Sequence, residues 1–313
     1  MMTTPFFPRS AVAILGLTLL AACSESDDLS TAVAMKFSPQ IAGEDFRCQG
    51  EYTGMGTGPT QSYRATDFRW YLSQFALVDD AGNRTPLDLM PDDRGLVYQD
   101  ADHSVALLGE VAGCDVPQSS RQQNLELEGS APAGDYAQLC FTLGVPFALN
   151  HSDVTADTTP SPLNLPAMNW FWRGGRKFLK IDGIAELQAD GSGTAYNFHL
   201  GSTGCSNAGG TDGAQGEGRA APPDQACSQP NTPEYCLDFA AIQAGRAITV
   251  DPARLVVETD LSTNTQGTPP GCMGFINDPE CSKIMPRHGL DYPLNGNIIP
   301  RMQPVLFALE PAQ

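Results

Sequence analysis

Two tryptophans and two histidines form the pattern in this sequence with the clearest chemical potential. Trp170-Phe171-Trp172 holds two of the three tryptophans in the chain, and His151 and His199, two of its four histidines, lie on either side. Imidazole nitrogen is a good ligand for borderline metals such as copper, so these segments could together form a metal site. The spacing alone favours a different interpretation, in which Trp170 and Trp172 share one face of a strand and fill a hydrophobic core.

The sequence lacks the motifs of common catalytic sites. It contains no G-x-S-x-G, no H-E-x-x-H, no P-loop and no G-x-G-x-x-G followed by a helical pattern. Its acidic pairs Asp79-Asp80 and Asp92-Asp93 lie in turn-like segments, where carboxylates usually cap the backbone. We therefore expect a binding protein and not an enzyme.

The N-terminus predicts export. Arg9 precedes the apolar run 11–20, which is too short to span a bilayer and has the pattern of a cleaved signal peptide. Leu20-Ala21-Ala22-Cys23 resembles the lipobox of bacterial lipoproteins, which predicts a lipid on Cys23, and Ser24 then indicates sorting to the outer membrane. The alternative is an ordinary secretory signal, with Cys23 lost or free. We expect a bacterial protein of the periplasm, outer membrane or cell surface, attached to the membrane through this lipid.

Charge and length limit the further possibilities. The chain has 313 residues and a formal net charge of −18, so it should repel nucleic acid and anionic lipid headgroups. Acidity could attract a positively charged redox partner, but a well-solvated exported surface is the simpler explanation. With no internal repeat and no clear boundary, we expect a signal peptide over 1–22, a polar tether over 23–31 and a single domain over 32–313.

The cysteines predict a disulfide framework. Besides Cys23 there are eight: Cys48, Cys114, Cys140, Cys205, Cys227, Cys236, Cys272 and Cys281. An even count in an exported protein indicates disulfides, and the absence of C-x-x-C argues against zinc ribbons and thioredoxin-type motifs. Cys205 and Cys227 flank a Gly/Pro/Ala-rich segment, and Cys272 and Cys281 flank a second loop. We favour these two pairings among the roughly 105 connectivities that eight cysteines allow.

Short strands and turns dominate the rest of the pattern. The strand-like segments are 32–37, 67–78, 123–128, 136–145, 177–187, 195–201, 247–258 and 304–309. With 31 glycines and 25 prolines, long helices should be few, and the helical pattern over 279–288 should be cut short by Pro286. We therefore predict an all-β fold, an antiparallel β-sandwich with long disulfide-stapled loops.

Several multi-residue motifs of this chain resemble those of the MbnP-like family. The matching motifs occur in order and, with the flanking matches, extend from Phe37 to Cys281. They are GVPFALNH at 144–151, PLN at 162–164, MNWFWRG at 168–174, KF at 177–178, FHLGSTGC at 198–205 and GCM at 271–273. Members of this family are periplasmic or surface copper-binding proteins, found in methanobactin operons and in other copper-related gene neighbourhoods.

The resemblance implies a specific chemistry for Trp170. In this family a partner dihaem peroxidase-like enzyme of the MauG type converts the first tryptophan of the W-x-W motif to kynurenine. An indole N–H is a donor without a lone pair suited to a metal, whereas the opened ring carries an aniline nitrogen and a ketone. Trp170 would then bind Cu(I) together with His151 and His199, which lie inside the matching motifs.

Each of the two histidines also has a structural interpretation. His151 could cap the turn at Asn150, and His199 could be hydrogen-bonded within a sheet. His103 and His288 are expected at the surface.

Other residues near the motifs have expected supporting roles. Trp172 should pack beside the site and help to pass electrons to the oxidising partner. Met168 and Met273 carry thioethers that suit copper, but filling a gap in the core is the expected role for both, with Met168 next to the site. Arg176 stands where the family tends to have an aromatic residue, which could alter the surface met by the partner enzyme.

Cys140 and Cys236 are additional to the cysteines that match the family, and could form one extra disulfide. Two other functions stay open. The chain could be a metal-free ligand- or partner-binding surface lipoprotein whose tryptophans form an aromatic platform, or a secreted enzyme with an unrecognised site. Unchanged metal content after His199→Ala would favour the first, and a measurable turnover the second.

Overall fold

A computed structural model describes residues 1–2, 30–115, 124–170, 174–206 and 222–311. Cys23, almost all of the expected signal peptide, and Trp172 lie outside these ranges. Within them, none of the helices has the length and apolar composition needed to cross a membrane.

The described residues form an all-β fold with a few short helices. The strands are β1 (Ser30–Ile41), β2 (Glu44–Asp45), β3 (Glu51–Tyr52), β4 (Tyr63–Val78), β5 (Arg84–Pro86), β6 (Asp88–Leu89), β7 (Val97–Gln99), β8 (Ser104–Glu110), β9 (Glu126–Pro132), β10 (Gln138–Leu143), β11 (Leu179–Ala185), β12 (Thr194–Ala195), β13 (Asn197–Leu200), β14 (Glu234–Asp238), β15 (Ile248–Val250), β16 (Gly271–Cys272), β17 (Tyr292–Leu294), β18 (Asn297–Ile299) and β19 (Phe307–Leu309). The α-helices are α1 (Phe147–Asn150), α2 (Phe239–Gln243) and α3 (Ile284–Arg287), and 3₁₀ turns cover Pro166–Met168, Pro252–Leu255 and Pro279–Ser282.

Two large sheets pack on each other, as the predicted sandwich requires. One has the strand order β19-β15-β1-β9-β6, and the other has the order β14-β10-β4-β11-β13-β16, with β8 also paired to β4. Most pairings are antiparallel, but β1–β15 and β13–β16 are parallel. The antiparallel sandwich is therefore confirmed as the fold class, with these two parallel pairs as departures.

Aromatic side chains from both sheets meet in the core. Phe37 of β1 packs edge-on against Trp70 of β4, with ring centroids 6.2 Å apart, and Phe307 of β19 packs against Phe141 of β10 at 5.3 Å. All four rings are almost completely buried. Their burial is the main apolar contribution that holds the two sheets together.

Each predicted strand segment overlaps a strand of the structure, but the bounds differ in most of them, and two of these differences have a clear cause. β1 begins at Ser30 and not at residue 32, because Ser30 and Thr31 pair with Pro132 and Ala131 of β9. The expected strand over 247–258 ends after β15, because Asp251 caps a 3₁₀ turn by accepting a hydrogen bond from the backbone of Ala253.

The helical pattern over 279–288 is realised as two short pieces, the 3₁₀ turn Pro279–Ser282 and α3. Pro286 lies inside the single turn of α3, where a missing N–H costs no intrahelical bond. The helix ends one residue later, at Arg287, so the helical segment is short as predicted, although Pro286 is itself part of the helix.

Four disulfides connect the eight cysteines as Cys205–Cys227, Cys272–Cys281, Cys140–Cys236 and Cys48–Cys114. The first two are the predicted loop staples, and the third is the expected extra bridge, which joins directly opposed residues of β10 and β14. An isolated bridge between Thr203 and Gln229 closes the base of the first stapled loop. Residues 207–221 of that loop lie outside the described ranges.

Candidate metal centre

Trp170 lies in a hairpin-like arm that leads into β11. The backbone N–H of Lys177 donates to the carbonyl of Met168 at 2.8 Å, and that of Trp170 donates to the carbonyl of Gly175 at 3.0 Å. Gly175 has a positive φ of 70°, and a Cβ at this position would lie 2.7 Å from the backbone and side-chain oxygens of Asn150. A glycine is therefore needed here, both for the turn and for close contact with Asn150.

The indole of Trp170 is held from two sides. It stacks on Phe275, with ring centroids 5.6 Å apart and an interplanar angle of 27°. A Cβ at Gly201 would lie 2.6 Å from a carbon of the same indole, so a larger residue there would displace the ring. Trp170 is half-buried in this slot, whereas Met168, two residues earlier, is completely buried in the core.

His199 lies on β13, two residues before Gly201. Gly201 follows the last residue of β13, and the Trp170 ring occupies the space into which a side chain at position 201 would point. The end of the strand that carries His199 therefore contacts the Trp170 ring.

The two ring nitrogens of His199 have different environments. Nε2 is 2.6 Å from Oδ1 of Asp182, while Nδ1 is buried and has no hydrogen-bond partner among the described residues. Burial lowers the pKa of His199 below 6.5, against the opposing hydrogen bond and charge of Asp182. The imidazole is thus neutral at pH 7, the form that binds metals.

Asp182 is ionised and belongs to a buried ionic network. Burial would raise its pKa, but the hydrogen bond from His199 and the charge of Lys180 outweigh burial and lower it well below the ordinary value. The Nζ of Lys180 lies 2.6 Å from Oδ2 of Asp182 and also donates to Asp67. Arg69 completes the network, since its Nε donates to Oδ1 of Asp67 at 2.7 Å and a second N–H bonds Oδ2.

This network was missed by the sequence analysis. Its signal is a charge at every second position of two strands, Asp67-x-Arg69 on β4 and Lys180-x-Asp182 on β11, with large apolar residues between. Such alternation is also typical of a strand with one solvated face. Here Asp67, Arg69 and Lys180 are all at least nine-tenths buried, and the sequence alone could not indicate that.

His151 is the C-cap residue of α1 and is buried. Its Nε2 lies 3.1 Å from Nδ2 of Asn150 and 3.6 Å from Sγ of Cys227. The same Asn150 amide donates to Oγ of Ser202 at 3.3 Å, the residue next to Gly201. Asn150 therefore links His151 to the end of β13 and, through Gly175, to the arm that carries Trp170.

A different donor group surrounds His151. Its ring and the sulfurs of Cys205 and Cys227 offer ligand atoms within 4.8 Å of one another. These cysteines form a disulfide, so neither provides the thiolate that a soft metal requires. The oxidised protein therefore has no three-ligand site at this place among its described residues.

The expectation about Arg176 is wrong. Arg176 does not lie on a surface open to a partner, because it is completely buried. Its guanidinium donates to backbone carbonyls of Leu149, Asn150, Ser152 and Leu163, at 2.6–3.2 Å. These carbonyls compensate the loss of solvation and tie the His151 segment to the arm.

His288 was expected at the surface, and this too is wrong. Only 2% of it is exposed, and its Nδ1 faces the hydroxyl of Tyr235 at 3.4 Å. His103 does lie near the surface, beside Asp100. Met168 fills the core as expected, and Met273 is half-buried.

The two histidines offer ring nitrogens, which are donors that suit a copper ion. Nδ1 of His199 has no hydrogen-bond partner among the described residues, and His151 is connected through Asn150 to Ser202, which follows β13. The Trp170 indole itself offers no lone pair to a metal, and only ring opening would give it one.

Comparison with known proteins identifies the family of this chain. A family model described as MbnP matches residues 30–274. The solved structure of MbnP from Methylosinus trichosporium matches with a TM-score of 0.68 and 27% sequence identity, covering 90% of this chain and 98% of that chain. No curated protein sequence matches the chain. Since the family model covers well over half of its residues, this chain belongs to the MbnP family.

Proposed function

We propose that the protein is an exported copper-binding protein that holds Cu(I) through His151, His199 and a kynurenine formed from Trp170. The oxidation of Trp170 is assigned to a partner dihaem enzyme of the MauG type, and attachment to the membrane to a lipid on Cys23. The observation that carries the proposal is the unpartnered Nδ1 of His199, on a strand whose end contacts the Trp170 ring. Family membership supports the same assignment.

The protein's own residues prepare the site before any metal arrives. Phe275 and Gly201 fix the position of the Trp170 ring, and burial keeps His199 neutral. Neutral nitrogen ligands in low number suit Cu(I) better than Cu(II), which prefers a tetragonal arrangement of nitrogen and oxygen. The role of the protein is binding and not turnover.

Mass spectrometry of the peptide that contains Trp170 tests the proposal. In protein produced together with its dihaem partner, we expect Trp170 to have exchanged one carbon for one oxygen and the protein to retain one copper. Trp170→Phe should abolish copper retention, because phenylalanine cannot be converted to a nitrogen ligand. Trp70→Phe is the matched control, at the third tryptophan of the chain, which lies in the core, and the folded variant should keep copper.

Two results would contradict the proposal. One is an unmodified Trp170 in protein that is fully loaded with copper. The other is unchanged metal content in His199→Ala, which would favour a lipoprotein that binds a metal-free ligand. The His103→Ala variant, altered at a histidine far along the chain beside Asp100, should behave as the wild type.

A further inference from the structure

A carboxylate can orient an imidazole only when the carboxylate is itself fixed. Both oxygens of Asp182 are engaged, Oδ1 with His199 at 2.6 Å and Oδ2 with Lys180 at 2.6 Å. Lys180 is held in turn by Asp67, whose two oxygens also bind Arg69. Rotation of Asp182 would therefore break bonds on both of its oxygens.

The sheet register places these groups in a row. Arg69, Lys180 and His199 are directly opposed residues on β4, β11 and β13, so their side chains emerge on one face. Asp67 and Asp182 are opposed in the next same-face row. The two positive and two negative charges cancel, which leaves a neutral imidazole at the end of the network.

The bonding decides which ring nitrogen carries the proton. Oδ2 of Asp182 accepts from the ammonium of Lys180, which has only donors, so Oδ1 is left as an acceptor and Nε2 of His199 is the donor in its contact with it. Nδ1 is buried and has no acceptor for a proton among the described residues, so the lone pair of the ring is on Nδ1. Metal-bound histidines commonly have this arrangement, with the second nitrogen donating to a carboxylate.

We infer that Asp182 is the positioning residue of the copper site, holding His199 as its Nε2–H tautomer with Nδ1 as the ligand atom. Lys180, Asp67 and Arg69 fix Asp182 in this role. The inference rests on the proposed copper function, and it adds the ligand atom and the residues that select it. The competing explanation is that the network only neutralises buried charges, in which case Asp182 would affect stability alone.

The tautomer of His199 in the metal-free protein is the first test. Long-range ¹H–¹⁵N correlation spectra distinguish Nδ1–H from Nε2–H imidazoles. The chain has four histidines, so single His→Gln variants are sufficient to assign the signals. We expect His199 to be the Nε2–H tautomer, and this measurement requires neither copper nor the modified tryptophan.

Two substitutions at Asp182 then separate positioning from charge. Asp182→Asn keeps an oxygen that can accept from Nε2–H, and should retain both the tautomer and Cu(I) affinity within a few-fold. Asp182→Leu has no acceptor, so we expect a mixture of tautomers and a Cu(I) affinity lowered by about 10–100-fold. Affinity is measured by competition with a chromophoric Cu(I) chelator on kynurenine-containing protein. Asp190→Leu, at a fully exposed turn position, is the control and should behave as the wild type.

The possible outcomes separate this inference from the proposed function. An Nδ1–H tautomer of His199 in a protein that binds Cu(I) would overturn the inference alone. So would an Asp182→Leu variant with wild-type affinity. A kynurenine-containing protein that binds no Cu(I) would overturn the proposed function, and the positioning role with it. If Asp182→Leu does not fold, the wild-type tautomer and the Asp182→Asn variant still decide.

Discussion

The sheet that carries the candidate site is buried on both faces, but the two faces have opposite chemistry. On one face, large apolar side chains of β4, β11 and β13 pack towards the other sheet: Phe68, Trp70, Leu179, Ile181, Phe198 and Leu200. On the other face, the alternate residues of the same strands form the ionic network that ends in His199. Both patterns arise from the two-residue period of a strand.

The two faces differ in what they require to be stable. Apolar burial is favourable in proportion to area and tolerates many side chains of suitable shape. Buried ions lose hydration, and recover that free energy only when every charge is paired with good geometry. Buried ion pairs are therefore a less favourable way than apolar packing to stabilise a sheet. The ionic network has a role that apolar residues could not fulfil, because it orients His199.

A histidine is found in each environment. His288 lines a small cavity with apolar residues such as Leu179, Phe198 and Met285, a cavity that His199 also lines, and burial lowers its pKa to about 3. His199 lies on the ionic face, where Asp182 partly opposes the effect of burial. Of the two, His199 alone has a carboxylate that fixes the ring and directs the lone pair.

The largest effect is expected on the apolar face. Trp70 is completely buried and contacts Phe68, Phe37 and Phe307, with centroids 5.3–6.4 Å away. Trp70→Ala should lower the free energy of unfolding by about 3–5 kcal/mol, through lost burial and the cavity that remains. Urea unfolding followed by circular dichroism measures this loss. Trp70→Phe should lose less, and equal losses for both variants would argue against a packing origin.

On the ionic face, the expected effect depends on how the network is changed. Asp67→Leu leaves Arg69 without its bidentate carboxylate, while Lys180 keeps Asp182, so we expect a loss of about 3 kcal/mol. The double variant Asp67→Leu, Arg69→Met removes one negative and one positive charge, leaves Lys180 paired with Asp182, and should lose less than Asp67→Leu alone. Both are compared with wild type by urea unfolding. A double variant less stable than the single one would show that the ions stabilise the sheet directly.

The comparison also shows what the sequence could predict. The long strands β1, β4 and β10 were recognisable because their patterns are local. The Cys205–Cys227 and Cys272–Cys281 loops were recognisable from their flanking cysteines. The candidate site residues were taken from motif resemblance, and their role as ligands stays a prediction.

The ionic network and Arg176 could not be predicted, for a common reason. Asp67 and Asp182 are opposed only through the register of β4 and β11, which neither strand shows by itself. Arg176 is buried because four backbone carbonyls of a distant segment converge on its guanidinium. Charged residues are mostly exposed in folded proteins. They are buried only where other parts of the fold provide hydrogen-bond or ionic partners, and a local sequence does not show those partners.

The smallest expected effect is a loss of folding stability at low pH, caused by His288, which can be protonated, unlike the apolar residues around it. Its pKa is about 3 in the folded protein and about 6.5 when unfolded, so the unfolded state binds the proton first as pH falls. Stability conferred by the neutral ring is thus complete above pH 6.5 and is lost below it.

Between pH 7.5 and pH 5.5, wild type should lose about 1.4 kcal/mol relative to His288→Gln, whose side chain does not titrate. Urea unfolding of both proteins at the two pH values measures the difference, in which the effects of all other titrating groups cancel. A constant difference between the two proteins would mean that His288 is solvated or finds a proton acceptor, and that the apolar face is less dry than its packing indicates.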